Sequence, residues 1–283
     1  MSLTRGIGPL SRRDEAGQAN TTIGGPGHLL WFHAVPKRIR AALGDTVVVD
    51  TEAARMLHET RLLPVYYLPR DDVRFELLEP SDTTSHCPFK GDARYWHVRV
   101  GDRLVRDAVW GYDHPIDGAP DLAPYVACYF DRLDHWYEED VEIFGHPRDP
   151  FHRVDVRPST RAVVVRLDGE VVAETDHPVL LFETGLPTRY YLAPEAWRSE
   201  LFVPRDTTTV CPYKGTADYR TVRAPAGGEP VQDLVFRYAQ PLDDARGIAG
   251  LLCVDQGHDR VEVDVGPGAA ELPPGFERPE PRS

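Results

Sequence analysis

No stretch of the chain approaches the roughly 20 consecutive apolar residues that a helix needs to cross a bilayer, so no membrane partner is expected. Cysteine is scarce: Cys87, Cys128, Cys211 and Cys253 are the only four, too few and too scattered for a disulfide framework. There is no C-x-x-C and no H-E-x-x-H, so spacing argues against structural zinc, and no metal is expected. The phosphate-cradling pattern G-x-x-x-x-G-K-[ST] is also missing. Basic charge is short as well, with 32 Lys and Arg against 45 Asp and Glu for a net charge of −13. Such a chain repels phosphate backbones, and its arginines are dispersed singly, so no nucleic-acid partner is expected. The opening MSLTRGIGPLSRRDEAGQ has basic residues without an apolar segment behind them. It does not read as a secretory signal, and a cytoplasmic location is expected.

What the chain does have is itself, twice. SHCPFKGDARY at 85–95 returns as TVCPYKGTADY at 209–219. A shift of 124 residues aligns 43–98 with 167–222 without a gap, and 25 of those 56 positions are identical. Chance would give about one in fifteen, so this is an internal duplication, and so long a period means two domains rather than a solenoid. After a short gap DAVWGYDHPID (107–117) matches DLVFRYAQPLD (233–243). The expected organisation is a partly mobile extension over 1–36, a first repeat domain over 37–145, a second over 158–265 and a mobile tail over 266–283. The join at 146–157 is proline-rich and reads as a linker.

Strands dominate the local signals. RAVVVRLDGEVVAET reads as a hairpin whose Asp168-Gly169 pair suits a type I′ turn, and its copy carries Gly44-Asp45 before TVVVDT. WHVRVGDRLVRDAVW alternates around Gly101-Asp102 as a second hairpin. YVACYF (125–130) is a short apolar strand. PRDDVRFELL after Pro69, and its copy APEAWRSELF, allow only a turn or two of helix. The fold class expected is mainly β: two tandem small antiparallel β domains, each with one short helix.

The Cys-Pro-x-Lys-Gly turn is the first place to look for chemistry. Proline fixes φ after the cysteine, and Gly91 or Gly215 permits a conformation closed to other residues. Such a turn presents a thiol and an ammonium together, so Cys87, Lys90, Cys211 and Lys214 are the candidate catalytic residues. The competing reading is a buried small hydrophobe beside a snorkelling surface lysine. Asp82 and Thr84, with Asp206 and Thr208, could orient a polar ligand, although Asp-Thr-Thr also makes ordinary loop turns. Tyr67 and Tyr191 follow a tyrosine on a strand, so one of each pair faces inward, and Trp110, Tyr112 and Tyr238 invite an aromatic-box reading. These complete the candidate ligand-binding set. Glu59 and Glu183 are read as holding Arg74 and Arg198. The histidines, including His86 beside Cys87, show no repetition and are read as surface residues.

The segments ET…YYLP, then PSDTT..CPFKG.A.Y, then DAVW.Y..P resemble the domain of unknown function 427 family, and the resemblance covers both copies. It implies a β-rich fold of the β-tent kind. The zinc-ligating cysteine pairs of other domains with that fold are absent here, so metal is not carried over. In the second copy Phe236 replaces Trp110 and Ala193 replaces Pro69, which puts activity there in doubt. Two functions remain open: a site in each copy that binds or transforms a small, anionic metabolite, or a non-catalytic interaction module in which the fused copies mimic a homodimer. No cofactor is identified.

Overall fold

Residues 27–268 are described by the computed structural model; of the ends read as mobile, 1–36 and 266–283, residues 1–26 and 269–283 lie outside the described residues, while Leu30–Ala34 forms a strand. The chain is mainly β, with four antiparallel sheets in two halves. It divides into two compact units. The first runs to Arg153 and takes in Glu183–Pro187 and Val210–Tyr213; the second holds Val154–Phe182, Thr188–Thr209 and the chain from Lys214 onward.

In the first unit the strands are β1 (Leu30–Ala34), β2 (Ile39–Leu43), β3 (Thr46–Thr51), β4 (Arg55–Glu59), β5 (Val65–Pro69) and β6 (Leu78–Cys87). They continue as β7 (Gly91–Val100), β8 (Arg103–Gly111), β9 (Tyr125–Cys128), β10 (His135–Glu138) and β11 (Val141–Ile143). A seven-stranded sheet has the order β1-β4-β5-β9-β8-β7-β6, and a four-stranded sheet the order β11-β10-β2-β3. Strand alternation gives the large sheet two apolar faces. Met56, Tyr66, Trp96 and Val126 pack with Ile39, Val49 and Trp136 of the small sheet in the main core. Their chain neighbours Leu57, Tyr67 and Ala127 pack instead with Tyr112 and Leu122, with Phe32, Cys87 and Trp110 against them. The candidate site is built on this second face.

The second half repeats the plan. Its strands are β12 (Val154–Pro158), β13 (Val163–Leu167), β14 (Glu170–Thr175), β15 (Val179–Glu183) and β16 (Arg189–Leu192), then β17 (Phe202–Cys211), β18 (Gly215–Val222), β19 (Val231–Tyr238), β20 (Leu252–Val254) and β21 (Val261–Val265). They form a seven-stranded sheet ordered β12-β15-β16-β20-β19-β18-β17 and a three-stranded sheet ordered β14-β13-β21. Val163, Val165 and Leu167 alternate into a core with Leu192, Trp197 and Val235.

Local chemistry explains the turns. Asp168 (φ 54°) and Gly169 (φ 81°) both take the left-handed conformation that a type I′ hairpin demands. The expected short helices are pairs of single 3-10 turns, at Arg70–Asp72 and Phe75–Leu77 and again at Pro194–Ala196 and Ser199–Leu201. The intervening Val73 and Trp197 are extended, which stops each turn from growing into an α-helix. Within 146–157, read as a linker from its prolines, lie His152 and most of strand β12, which begins at Val154.

Candidate functional site

The turn after β6 folds as its glycine requires. Gly91 has φ 101° and Gly215 φ 96°, and a Cβ on Gly91 would lie 3.2 Å from the carbonyl oxygen of His114. The Ile116 amide donates to the Lys90 carbonyl at 3.2 Å, and the Leu242 amide to that of Lys214 at 3.0 Å. The Y-x-x-P-I/L-D segments at 112–117 and 238–243 therefore pin the Lys-Gly turn in both copies.

Lys90 is 7% exposed, and its ammonium pairs with Glu59, itself 7% exposed, at the end of β4. Burying both ions is tolerable only as a pair. The Nζ also sits 5.9 Å from the centroid of the Tyr112 ring. The second carboxylate oxygen of Glu59 bonds to Nε2 of His28 at 2.9 Å. That imidazole lies flat on Phe89, with ring centroids 3.6 Å apart and planes within 5°. Glu59 thus joins a buried lysine to an accessible histidine. Thr60 fixes the approach: its Oγ1 accepts from the Leu29 amide at 2.8 Å, while its own amide donates to the Leu29 carbonyl at 3.1 Å. A cleft of 520 Å³ opens here, lined by Gly27, His28, Thr60, Arg61 and Phe89.

The arrangement recurs 124 residues later. Nε2 of His152 meets Glu183 at 3.0 Å, its ring stacks on Tyr213 with centroids 3.9 Å apart, and Thr184 Oγ1 accepts from the Arg153 amide at 2.9 Å. His28 and His152 are thus a repeated pair, contrary to the sequence reading. They share the same 124-residue offset but lie outside the gap-free window that begins at Leu43. Glu59 and Glu183 do not hold Arg74 and Arg198, whose guanidinium groups pair with Glu76 and Glu200 two residues away.

The two copies differ in access. The His28 side chain is 22% exposed, whereas that of His152 is 1% exposed. They differ also at the tip of the β4–β5 turn, closed by a Leu62 amide to Glu59 carbonyl bond at 3.0 Å. Arg61 sits there at φ 69°, where Gly185 of the second copy has φ 70°. This turn position ordinarily goes to glycine. Arg61 is exposed, and among the described residues its side chain makes no ion pair or hydrogen bond, so its guanidinium faces the cleft region uncommitted.

The other expected site residues divide into two groups. Cys87, half-buried, packs with Tyr67, Trp110 and Tyr112 beside the Lys90–Glu59 pair. Burial raises the Tyr67 phenol well above its ordinary range, with Tyr112 and Glu59 adding to the effect. In the second copy Tyr191 and Tyr238 are buried on either side of Phe236, and Lys214 and Cys211 are half-buried on their turn. Asp82, Thr84, Asp206 and Thr208 are exposed and stand apart from this cluster. Their neighbours explain the shared Asp-Thr-Thr: Thr83 Oγ1 donates to Asp107 at 3.1 Å, and Thr207 Oγ1 to Asp233 at 3.3 Å. Asp107 and Asp233 have φ of 50° and 54°, so the motif on β6 or β17 stabilises a strained aspartate on β8 or β19, two strands away in the sheet. His86 pairs with exposed Asp92.

A further histidine cluster had no signal in the sequence. His58, fully buried on β4, has Nε2 3.0 Å from Nε2 of His33 and Nδ1 3.6 Å from Asp149.

No curated protein matches the chain. A family model does, over residues 32–139 and again over 155–265. The chain belongs to the family described as domain of unknown function (DUF427), and carries that domain twice in tandem.

Proposed function

We propose that the first copy binds a small anionic metabolite in the cleft at His28 and exchanges a proton with it there. The observation that supports this reading is the His-Glu-aromatic arrangement, built twice at one sequence offset but left open to solvent at His28 alone. Packing does not require an imidazole to be both stacked and hydrogen-bonded to a buried carboxylate. Proton transfer does: the carboxylate fixes the tautomer with hydrogen on Nε2 and leaves Nδ1 as the base. Lys90 holds Glu59 in place rather than meeting the ligand, because its ammonium is already buried against that carboxylate. Attraction for an anion then falls to Arg61, whose planar fork suits a carboxylate or phosphate. Cys87 has no committed base beside it and serves as a wall of the tyrosine cluster. The second copy, with Gly185 for Arg61 and a covered His152, acts as scaffold.

The test is a titration with inorganic phosphate and with succinate, followed through the His28 ring resonances by NMR. Saturable shifts in the parent protein that are lost in His28→Ala and Arg61→Gly are expected. Identical responses in the parent and Arg61→Gly would overturn the anionic reading, and no response of His28 to either probe would overturn the site.

A further inference from the structure

A second cleft lies in the first unit, apart from His28. It encloses 400 Å³ at the ends of β5, β8 and β9, within the size range of sites for small organic molecules. Its lining is unusually aromatic. Tyr66 and Trp136 are buried at depth, and Trp110, Tyr129 and Phe130 are half-buried above them. The rings brace one another: Phe130 stacks on Trp136 with centroids 5.0 Å apart, and Trp110 meets Tyr129 at 4.4 Å. Aromatic faces carry negative potential, and several facing one space favour a cation over a neutral group of the same shape. One of these rings already does so, since the Arg132 guanidinium carbon lies 4.3 Å from the centroid of Tyr129.

The charges around the cleft point the same way. Asp131 lines it and is exposed at its rim. Among the described residues its carboxylate makes no hydrogen bond or ion pair. At depth the Tyr66 hydroxyl donates to Glu138 at 2.6 Å, and Glu138 in turn pairs with Lys37, so that carboxylate is already neutralised. The unmatched charge is therefore Asp131, in a protein of net charge −13 whose long-range field draws cations in.

We propose that this cleft binds a small organic cation of the quaternary ammonium class, with the aromatic rings around its methyl groups and Asp131 as counter-ion. The inference uses neither His28 nor Arg61 and stands whether or not the anion site exists. Choline is the probe, and 3,3-dimethylbutan-1-ol, which has the same shape without the charge, is the control. Choline should shift the indole N–H resonances of Trp110 and Trp136 saturably. The neutral analogue should bind about tenfold more weakly, the discrimination that a desolvated cation–π site gives. Asp131→Asn, at an exposed position where folding is not at stake, should weaken choline several-fold without moving the affinity for the alcohol. Equal affinity for choline and the alcohol, an unchanged choline affinity in Asp131→Asn, or no saturable response to choline would each overturn the proposal.

Discussion

Replacing Arg61 with glycine should make the protein more stable while removing the anion site proposed at His28. The β4–β5 turn holds Arg61 at φ 69°, where an L-residue with a Cβ is disfavoured by about 1–2 kcal/mol. Glycine escapes that strain but loses more backbone entropy on folding, which costs about 0.5–1 kcal/mol. The guanidinium has no ion pair to lose among the described residues, so the balance is a gain of about 0.5–1 kcal/mol. In a unit of this size that corresponds to a rise of about 1–4 °C in Tm. Gly185, at φ 70° in the second copy, shows that the backbone accepts glycine there without rearrangement.

Urea denaturation of the parent, Arg61→Gly, Arg61→Asn and Arg61→Ala separates the contributions. Asparagine tolerates the left-handed conformation and should fall between the parent and glycine. Alanine keeps the Cβ, so it should lose phosphate and succinate binding without gaining stability. A lower midpoint for Arg61→Gly would refute the reasoning, because the arginine would then be held by contacts worth more than its strain.

Three further outcomes follow from the same geometry. Glu59→Gln leaves the Lys90 ammonium buried without its counter-charge and should cost about 3 kcal/mol in urea denaturation, with Glu59→Gln/Lys90→Met recovering part of it; a loss below about 1 kcal/mol would mean water reaches the pair. Burial pushes the thiols of Cys128 and Cys253 up to about 12, so iodoacetamide at pH 8 should label Cys87 and Cys211 alone in the folded protein, and modification of Cys128 at a comparable rate would contradict the packing. Burial also lowers the imidazole pKa of His58, against a partial opposing pull from Asp149. The unfolded chain therefore takes up a proton below about pH 6.5 that the folded chain refuses, and stability falls as pH drops through that value. His58→Asn should flatten this slope between pH 7 and 5, measured from denaturation midpoints.

The architecture was legible because it rests on short-range rules. Asp168-Gly169 and Gly101-Asp102 mark hairpins through backbone conformations that few other residue pairs adopt, and the structure has turns at both. The 3-10 turns after Pro69 and Ala193 were read as helix because their composition suits one; what stops them is the extended residue between, a feature of tertiary packing. The site was legible only in part. Lys90, Cys87, Tyr67 and Tyr112, singled out because repetition flagged polar and aromatic residues on one turn and its flanking strands, do lie together in the structure. Glu59 was noticed but given the wrong cation. Arg74 is nearer in sequence, whereas Lys90 reaches Glu59 from the far end of the sheet by way of the β6–β7 turn.

The miss at His28 shows most clearly where repetition stops helping. His28 and His152 keep the 124-residue offset, yet their neighbours do not: Trp31 corresponds to Asp155, and Leu29 to Arg153. What the two sites share there is main-chain pairing to Thr60 and Thr184, and such bonds place no demand on side-chain identity. A histidine held by backbone bonds at the edge of a sheet is preserved as a single letter in dissimilar text. The Glu-Thr dipeptide was the readable signal, because its carboxylate receives the imidazole and its hydroxyl receives the amide that positions it. The divergence around that letter also separates the copies, since Arg61 and an open His28 occur together in one half, and Gly185 and a covered His152 in the other. The duplication thus keeps its buried carboxylate in both halves, as Glu59 and Glu183, but its strained cation, Arg61, in only one.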